Sequence, residues 1–527
     1  MKKIKADIKA KSESKYKKIP VYDPKTGEKI DEIIETPVKE IKNIFQKLTE
    51  GQKEWASYGL KRRKIKILKI KESILVNIDE IVNLISKDTG KSKTDVIMSE
   101  IYPVISTIDT FVKRAERYLS DKEINLKNKL TINKKSYVAY MPKGPVAVIS
   151  PWNYPFQIPF REIILNLLAG NSVLLKGSPE TLLVSLKIEE IIRFAGIDDN
   201  IFQNVLGGKE AGEEITKYPW KHITFTGSVE VGKRIMAKAA ENLTSVTLEL
   251  GGKDPMIVLE DADLERAANG AIFNGCFISG QSCAAVERIY VSNKVKEKFI
   301  KMLVDKAKKL RSYIEYPSDY DIGPITTKFQ YDKILAHLRE ASKKAKILTG
   351  GLPQKGLAGW YIPPTVVVNV NHSMKLMKEE TFGPILPVMG VSSIQEAIDL
   401  ANDSDYGLNA SIWTKNHSLA KKIASKLEAG TVLINDHLYT QAVSRAPWLG
   451  IKKSGIGVSH GAWGPRSMAQ LKHINYDVLP LKRDLWWFPS SANKYDAFKS
   501  YIKKDFWRKP AIMLKFIKEF LLLFRKF

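Results

Sequence analysis

The chain has 527 residues, of which 44% are hydrophobic, so it is too long to fold around a single hydrophobic core. It has two cysteines, too few for a framework of disulfide bonds. We therefore expect two or three globular domains and a reducing, cytoplasmic location. The formal charge of +26 is spread along the chain, without a basic block interleaved with aromatic residues, so we expect no nucleic-acid partner.

The first elements expected are a basic arm, a hairpin and a helical layer. Residues 1–20 hold eight lysines and no apolar run, which predicts a flexible arm rather than a secretory signal. The stretch VYDPKTGEKI, residues 21–30, has a turn between two β-like pieces and predicts a hairpin. From Pro37 to about Leu119 the apolar residues recur at helical spacing, and Gly90 is a helix C-terminal signal.

Beyond this layer, short strands and helices alternate. One set contains the stretches GPVAVISPW, FREIILNLLAG, NSVLLKG, HITFTG, SVEVGKRIMAKAAE and SVTLELGG, and a second set extends from KDPMIVLE to AGTVLIND. This alternation is typical of a doubly wound parallel sheet. We therefore predict two α/β domains, of which the first is Rossmann-like, joined near Gly251 and Gly252.

The stretch HITFTGSVEVG predicts an anion site. Gly227 follows a strand and allows close backbone approach, and Ser228 is a good N-cap for the helix that follows. The free N–H groups at that helix N-terminus favour an anion such as phosphate. The same pattern also occurs at ordinary strand–turn–helix junctions, so both interpretations stay open.

The two cysteines have different surroundings. Cys276 lies in the apolar run IFNGCFI and is expected in the core, whereas Cys283 follows the polar, turn-like residues GQS. A thiol near a helix N-terminus or a cationic cofactor has a lowered pKa and becomes a nucleophile. Cys283 is therefore either a small core side chain or a nucleophile.

Two more residues are candidates for catalysis. Glu249 is a carboxylate in the otherwise apolar strand SVTLELGG, so it has either a structural ion-pair partner or a chemical role as a base with a raised pKa. Asn153 lies between Pro151 and Pro155, and its amide is either a turn residue or an oxyanion donor. No histidines pair at metal-ligand spacing, so we expect no metal.

Together these stretches resemble the aldehyde dehydrogenase superfamily over roughly residues 20–478. The matching motifs occur in order and are GPVAVISPWNYPF, AGNSVLLKGSP, FTGSVEVG, LELGGKDP, GQSCAAVERIYV, EETFGPILPV, YGLNASIWT, GTVLIND and PWLGIKKSGIG. The pair of Glu249 in LELGG and Cys283 in GQSC, 34 positions apart, is the most specific part of this resemblance.

The resemblance implies an NAD(P)-dependent oxidation of an aldehyde to a carboxylic acid. Cys283 would attack the aldehyde, and the Asn153 amide with the Cys283 backbone N–H would hold the oxyanion of the thiohemiacetal. Hydride transfer would leave a thioester, and Glu249 would activate water to hydrolyse it. Because relatives that pass the acyl group to coenzyme A typically lack this base, we expect free acid as the product.

The resemblance also implies the cofactor residues. They are Trp152, Lys176, Ser178, Gly227, Ser228, Gly232, Leu250, Glu380 and Phe382. Many NAD-specific relatives carry a glutamate where this chain has Pro179, so NAD is expected and NADP stays an alternative that Lys176 and Ser178 would bind.

The implied domain organisation assigns each segment a part. Residues 21–119 and 140–250 would bind the dinucleotide, 251–449 would form the catalytic domain, and 120–139 with 465–478 would form a small β oligomerisation element. A homodimer or homotetramer is therefore expected.

Residues 479–527 form a basic tail after the family fold. Its last part, 511–527, patterns as an amphipathic helix, and no stretch of the chain reads as a transmembrane helix. The tail would contact a membrane peripherally, or pack on the enzyme or a neighbouring subunit. Membrane contact favours a medium- or long-chain aldehyde. The alternatives are a semialdehyde substrate, bound through Arg161 or Arg445, and an inactive scaffold that binds membrane or nucleic acid.

Overall fold

The computed structural model describes residues 17–126, 131, 133–353, 356, 358–479, 481–484, 486–504 and 506–521. The chain divides into two compact units. The first comprises the described parts of Met1–Leu119 and Met141–Gln470, and the second those of Ser120–Tyr140 and Leu471–Phe527. Most of the predicted basic arm lies outside the described residues. The prediction is wrong for residues 18–20, which belong to a strand.

The helices occupy both units, with a π-helical turn at Ile97–Ile101. They are α1 (Ile41–Ser57), α2 (Leu60–Val76), α3 (Ile78–Thr89), α4 (Lys93–Val96), α5 (Tyr102–Leu119), α6 (Gln157–Ala169), α7 (Leu182–Phe194), α8 (Lys209–Ile215), α9 (Val229–Ala240), α10 (Leu264–Cys276), α11 (Lys296–Ala307), α12 (Lys328–Lys344), α13 (Lys375–Lys378), α14 (Ile394–Asn402), α15 (His417–Ala424), α16 (Trp463–Ser467), α17 (Ala492–Ile502) and α18 (Pro510–Leu521).

The strands form two large sheets and several small ones. They are β1 (Lys18–Tyr22), β2 (Lys29–Ile34), β3 (Lys122–Glu123), β4 (Lys134–Pro142), β5 (Val146–Ile149), β6 (Val173–Lys176), β7 (Phe202–Asn204), β8 (His222–Thr226), β9 (Ser245–Glu249), β10 (Asp254–Val258), β11 (Val286–Ser292), β12 (Lys346–Thr349), β13 (Thr365–Val368), β14 (Ile385–Val391), β15 (Tyr406–Gly407), β16 (Asn409–Trp413), β17 (Thr431–Ile434), β18 (Pro447–Trp448), β19 (Ile451–Lys452), β20 (Gly455–Ile456), β21 (Ser459–His460) and β22 (Ala469–Asp477).

The first large sheet has the strand order β20-β9-β8-β5-β6-β7. Every neighbouring pair is parallel except β20 with β9. Apolar side chains of α2, α3, α5, α6 and α7 cover one face, and those of α1, α8 and α9 cover the other. Strands covered on both faces are apolar, as VAVI is throughout and VLLK is up to Lys176 at its end, because neither face meets water. The predicted doubly wound arrangement is confirmed.

The second large sheet has the order β12-β13-β14-β11-β10-β16-β17. Only the edge pair β12–β13 is antiparallel. Helices α12, α14 and α15 pack on one face, and α10 and α11 pack on the other. The second α/β set predicted from the sequence therefore folds as a second layered sheet within the same compact unit.

The smaller elements agree with the local sequence signals. Strands β1 and β2 pair as an antiparallel hairpin, as VYDPKTGEKI predicts. Gly170 ends α6 in the left-handed conformation, with φ of 92°, which a residue with a side chain adopts at a cost. In the second unit, β22, β4 and β3 form a three-stranded sheet, and α17 and α18 pack against each other.

Candidate active site

The sequence-predicted site residues that come from the first large sheet lie at its carboxyl edge. Trp152 and Asn153 follow β5, Lys176 ends β6, Ser228 follows β8, and Glu249 ends β9. The carboxyl ends of parallel strands meet at one edge of a sheet, and ligands of open α/β sheets bind in the crevice there. The topology therefore brings together residues that are distant along the chain.

A cleft of about 940 Å³ opens at this edge. Its lining includes Trp152, Asn153, Lys176, Ser178, Gly227, Ser228, Leu250, Cys283, Glu380 and Phe382. Two predicted residues are not part of the lining. Gly232 lies on α9, where an added Cβ would be 2.7 Å from Leu250 Cδ2, and Glu249 is buried beside the cleft.

The turn between β8 and α9 has the geometry of an anion site. An added Cβ on Gly227 would lie 2.5 Å from Phe225 Cζ, so the turn is closely packed. Ser228 is the N-cap of α9, and its Oγ accepts a hydrogen bond from the Val231 N–H at 3.5 Å. The other N–H groups of the first turn have no partner within the helix, and Ser228 and Val231 of this N-terminus line the cleft. An anion in the cleft is therefore favoured at this end of α9.

Lys176 is a buried residue of the cleft lining. Its Nζ donates to the Gly177 carbonyl at 3.3 Å, and burial lowers the pKa of its ammonium to about 8. Sequence reasoning missed further cations that line the cleft, which are Lys209, Lys217, Arg234, Lys238 and Lys333. They lie on or beside helices with many exposed lysines, so no local pattern distinguishes them from ordinary surface residues.

A buried ion pair holds the loop that carries Glu380 and Phe382. Lys253 Nζ donates to Glu287 at 2.6 Å, and the Glu287 carboxylate also accepts the N–H groups of Thr381 at 2.8 Å and Phe382 at 2.7 Å. Glu380 itself accepts the Gly252 N–H at 3.0 Å. Loss of hydration and the nearby Glu287 raise the pKa of Glu380 to about 7.

Aromatic side chains form one wall of the cleft. Trp152 meets Phe382 edge to face, with ring centroids 5.5 Å apart, and meets Phe329 in the same way at 6.1 Å. Phe382 has a φ of 57°, a left-handed conformation that is costly for a bulky residue. The Glu287 carboxylate and the Gln330 side chain, which donates to the Phe382 carbonyl, fix this backbone.

Glu100 holds the backbone that follows the Asn153 loop. This carboxylate is fully buried, pairs with Lys91, and accepts the N–H groups of Phe156 and Gln157 at the start of α6. It therefore satisfies amides that a helix N-terminus leaves without partners. Asn153 Nδ2 donates to the Gln281 carbonyl at 2.9 Å, which ties the amide to the loop that carries Cys283.

The backbone before Cys283 is strained. Ile278, Ser279 and Gly280 have φ values of 47°, 58° and 72°, three consecutive left-handed residues. The Gln281 side chain donates to the Ile278 carbonyl at 3.0 Å and accepts the Thr326 N–H at 2.9 Å, so the surrounding structure holds this conformation. Strain of this kind collects at functional sites.

The electrostatics of Cys283 differ from the expectation for an activated thiol. Burial raises the pKa of the Cys283 thiol well above its ordinary value, and the carboxylates of Glu380 and Asp254 raise it further. Strand β11 rather than a helix follows Cys283 along the chain. The protein's own groups therefore hold this thiol protonated at neutral pH. Cys276 is buried in the core, as expected.

Glu249 is a buried carboxylate within electrostatic range of Cys283. Its Oε1 accepts a hydrogen bond from Ser459 Oγ at 3.1 Å, and its Oε2 has no partner among the described residues. Burial raises its pKa to about 7, and the Arg161 guanidinium opposes that rise. A carboxylate with this pKa is half ionised near neutral pH and suits general-base chemistry.

Comparison with known proteins decides the family. The model of the aldehyde dehydrogenase family matches residues 10–474. A 4,4'-diapolycopene aldehyde oxidase from Methylomonas is 36% identical over 475 residues, 88% of each chain. The chain belongs to the aldehyde dehydrogenase family. It is therefore an oxidoreductase that converts an aldehyde into an acid.

Solved structures of aldehyde dehydrogenases have the same fold. A putative aldehyde dehydrogenase from Anabaena variabilis is 33% identical with a TM-score of 0.85, over 90% of this chain and all of that one. A betaine aldehyde dehydrogenase from Staphylococcus aureus, solved in complex with NAD⁺, is 31% identical with a TM-score of 0.83, over 90% and 94% of the two chains. Both comparisons confirm the predicted α/β class.

Apolar side chains surround Cys283 in this aldehyde dehydrogenase. Cys283 packs into a cluster with Ala284, Leu408, Leu438, Trp448 and Phe277. Phe277 also contacts a second cluster formed by Tyr154, Ile158 and Ile278. Of the two arginines considered for a substrate carboxylate, Arg161 is buried against Glu162, and Arg445 is exposed.

Proposed function

We propose that this aldehyde dehydrogenase oxidises an apolar medium- or long-chain aldehyde to the free acid with NAD, through covalent intermediates on Cys283. One observation carries the proposal. Asn153 is hydrogen-bonded to the loop of Cys283, the buried base Glu249 lies within electrostatic range of the thiol, and all three adjoin one cleft.

The cleft residues fit a dinucleotide. An added Cβ on Gly251 would lie 2.7 Å from Glu380 Oε2, and Gly227 and Gly232 are equally crowded, so the wall keeps its shape only with glycine. In our assignment Ser228 and the α9 N-terminus hold the pyrophosphate, and Gly227, Gly232 and Leu250 shape that turn. Lys176 holds the adenosine ribose and Glu380 the nicotinamide ribose, while Trp152 and Phe382 lie beside the ring. When bound there, the oxidised nicotinamide accepts a hydride.

The chain's own residues supply the remaining steps. The Cys283 sulfur bonds to the aldehyde carbon, and its proton passes to solvent water. The second amide N–H of Asn153 and the Cys283 backbone N–H stabilise the oxyanion that forms. The oxyanion collapses as the C–H hydride departs, which leaves a thioester. Glu249 then takes a proton from water, the resulting hydroxide attacks the thioester, and the thiolate leaves as the acid forms.

NAD is the favoured cofactor, with NADP as the alternative. Pro179 lines the cleft where a carboxylate would repel a 2′-phosphate, and Lys176 and Ser178 lie next to it. The solved relative in complex with NAD⁺ supports the first choice. Comparison of kcat/KM for the two cofactors tests the assignment, and a preference for NADP would reverse it.

The substrate proposal rests on charge and apolarity. The carboxyl groups of Glu380, Asp254 and Glu249 disfavour a negative charge at the thiol, and the Arg161 guanidinium opposes their effect. A semialdehyde would bring its own carboxylate into this environment, whereas an alkyl chain gains contact with the Phe277 and Trp448 cluster. Each buried CH₂ contributes about 0.8 kcal/mol, roughly a fourfold change in affinity.

An aldehyde panel tests reaction and substrate together. We expect the reduced-nicotinamide absorbance to grow with aldehyde and without coenzyme A. We also expect kcat/KM to rise with alkyl chain length and to fall for a semialdehyde of equal length. Cys283→Ala should remove the signal. A reaction that needs coenzyme A, survives this substitution, or prefers the semialdehyde contradicts the proposal.

We also propose the domain assignment given by the family resemblance. Residues 21–119 and 140–250 carry the cofactor turn, 251–449 carry Cys283, and 120–139 with 465–478 form the oligomerisation element. Strand β22 lies at an edge of the described three-stranded sheet, with Leu471 and Tyr476 exposed. Such an edge pairs readily with a second chain. A homodimer or homotetramer is therefore expected, and light scattering measures it.

We propose that the tail, residues 479–527, binds a membrane surface peripherally and that the enzyme is otherwise cytoplasmic. Residues 479–527 hold twelve lysines and arginines against four acids, and they lie beyond the family match. Large apolar side chains of this segment are exposed, namely Trp486, Trp487, Phe488, Trp507, Leu514 and Ile517. Aromatic and aliphatic groups bordered by cations favour an anionic lipid interface.

Within this tail, hydrogen bonds hold the turn of residues 486–489, which contains Trp486, Trp487 and Phe488. Lys494 Nζ donates to the carbonyls of Trp487 and Pro489 at 2.9 Å and 2.8 Å. Among the described residues, no helix is both long and apolar enough to cross a membrane.

Vesicle sedimentation tests the membrane contact. We expect the full chain to sediment with anionic vesicles and to stay in the supernatant with zwitterionic ones. We expect a chain that lacks 479–527 not to sediment with anionic vesicles. Equal partition of both chains contradicts the membrane contact.

A further inference from the structure

Behind Glu249 lies a buried group of charged and polar residues that the mechanism above does not use. Arg161 and Glu162 come from the first turns of α6, and Ser459 and His460 form β21. The residues Arg161, Glu162 and His460 are 4%, 0% and 1% exposed, respectively. Charged groups are rarely buried this completely unless they have a partner or a function.

The arginine is held from two sides. Its Nε donates to Glu162 Oε1 at 2.7 Å, and its Nη1 donates to His460 Nε2 at 3.3 Å. A guanidinium has only donors, so His460 Nε2 accepts and the imidazole carries its proton on Nδ1. Burial and the adjacent Arg161 keep the pKa of His460 well below its ordinary value, so this ring is neutral.

The buried group has one cation and two carboxylates. Around Glu249, α6 supplies Arg161 and Glu162, β21 supplies Ser459 and neutral His460, β18 supplies the Trp448 indole, and the β11 side supplies Cys283. Of these neighbours only Arg161 is positively charged. In the described residues, Oε2 of Glu249 and Oε2 of Glu162 have no hydrogen-bond partner. The ionised form of Glu249 therefore depends on charge more than on hydrogen bonds.

We propose that Arg161 is a positioning residue for thioester hydrolysis: its guanidinium stabilises the ionised form of Glu249, and Glu162 holds the guanidinium while competing for its charge. This inference rests on the proposed role of Glu249 as the base. The proposal predicts that the two adjacent residues of α6 have opposite effects on the ionisation of Glu249. Loss of the Arg161 charge favours protonated Glu249, whereas loss of the Glu162 charge favours ionised Glu249.

The test is the pH dependence of thioester hydrolysis, measured with a 4-nitrophenyl ester that acylates Cys283 without hydride transfer. Hydrolysis slows as the pH falls through the pKa of Glu249, because the protonated carboxyl no longer takes a proton from water. This decrease is the acid limb of the pH–rate profile. We expect Arg161→Met to move the acid limb to a pH that is higher by about one unit or more. Glu162→Gln, a nearly isosteric change, should move it downward, and Arg161→Lys should leave it close to the wild type.

Arg193→Met is the matched control, since Arg193 is half exposed on α7 and pairs with Glu189 on the same helix. It removes one positive charge far from β21 and should not move the limb. A shift of both α6 variants in the same direction, or of neither, overturns the proposal. If Arg161→Met does not fold, the downward shift of Glu162→Gln and the unchanged limb of Arg161→Lys still decide it.

The proposed function fails in a different way. If the wild type does not turn over an aldehyde, or if Glu249→Gln hydrolyses its thioester at the wild-type rate, Glu249 is not the base and the reaction assignment is wrong. If the wild type is active and depends on Glu249 but the two shifts are absent, the reaction assignment stands and only the role of Arg161 is wrong.

Discussion

Glu287→Gln should loosen the loop that carries Glu380 and Phe382. The carboxylate accepts three hydrogen bonds, from Lys253 Nζ and from the N–H groups of Thr381 and Phe382, and both members of the ion pair are buried. The amide keeps the shape but removes the charge. It also presents an NH₂ group to at least one donor that previously met an oxygen.

The magnitude follows from the buried ammonium that remains. Removal of one partner of a buried ion pair typically costs about 3–5 kcal/mol, because the other charge is left without compensation. Each kcal/mol lowers Tm by roughly 2–4 °C in a domain of about 200 residues, so the decrease should be roughly 6–20 °C. The KM for cofactor should rise as well, because Glu380 and Phe382 lie on the loop that loses its anchor.

Thermal melting and cofactor titration measure both effects. Lys253→Met with Glu287→Gln removes the uncompensated charge and should recover part of the Tm. Glu80→Gln is the matched control. It removes a partner of Lys187 at 2.8 Å, but this carboxylate is half exposed, so the expected cost is about 1 kcal/mol or less. A Tm decrease no larger than that of Glu80→Gln, or a double variant less stable than the single one, would refute the reasoning.

Three other substitutions or reactions probe the cleft. Asn153→Ala should lower kcat by about 10²–10³-fold with little change in KM, because it removes the proposed oxyanion donor, and steady-state kinetics measures this. Gly227→Ala should raise the dissociation constant of the reduced cofactor in a fluorescence titration, because its Cβ would meet the Phe225 ring, while the Cys283 titration stays unchanged. Alkylation of Cys283 should accelerate about tenfold per pH unit and still rise above about pH 9, because burial raises its pKa, whereas an ordinary thiol levels off near 8.5.

Local patterns were sufficient to predict the fold class and the residues that face the cleft. Short apolar strands alternating with helices specify a parallel sheet, and such a sheet places the residues after β5, β6, β8 and β9 at one edge. Seven of the ten predicted residues that line the cleft belong to these strand ends, whereas Cys283, Glu380 and Phe382 precede strands β11 and β14 of the second large sheet. Their chemical roles stay predictions.

The groups that hold these residues could not be predicted, because their contacts are distant along the chain. Glu287 binds the amide of Phe382, 95 positions later, and Glu100 binds that of Gln157, 57 positions later. In the sequence each appears as one acidic residue in a mixed stretch. The carboxyl groups that raise the pKa of the Cys283 thiol also come from other elements, so the residues around Cys283 in the sequence do not reveal them.

Buried ion pairs recur at the separate parts of the site. Lys91–Glu100 receives the amides that follow the Asn153 loop, Lys253–Glu287 receives those of the Glu380 loop, and the arginine pair on α6 lies beside Glu249. A buried ion pair contributes little net stability compared with apolar residues of the same volume. Its hydrogen bonds, however, fix distance and direction, which apolar packing does not. The shared position of these pairs therefore indicates that they set the geometry of the site, and that apolar replacement of a whole pair would preserve the fold while lowering kcat.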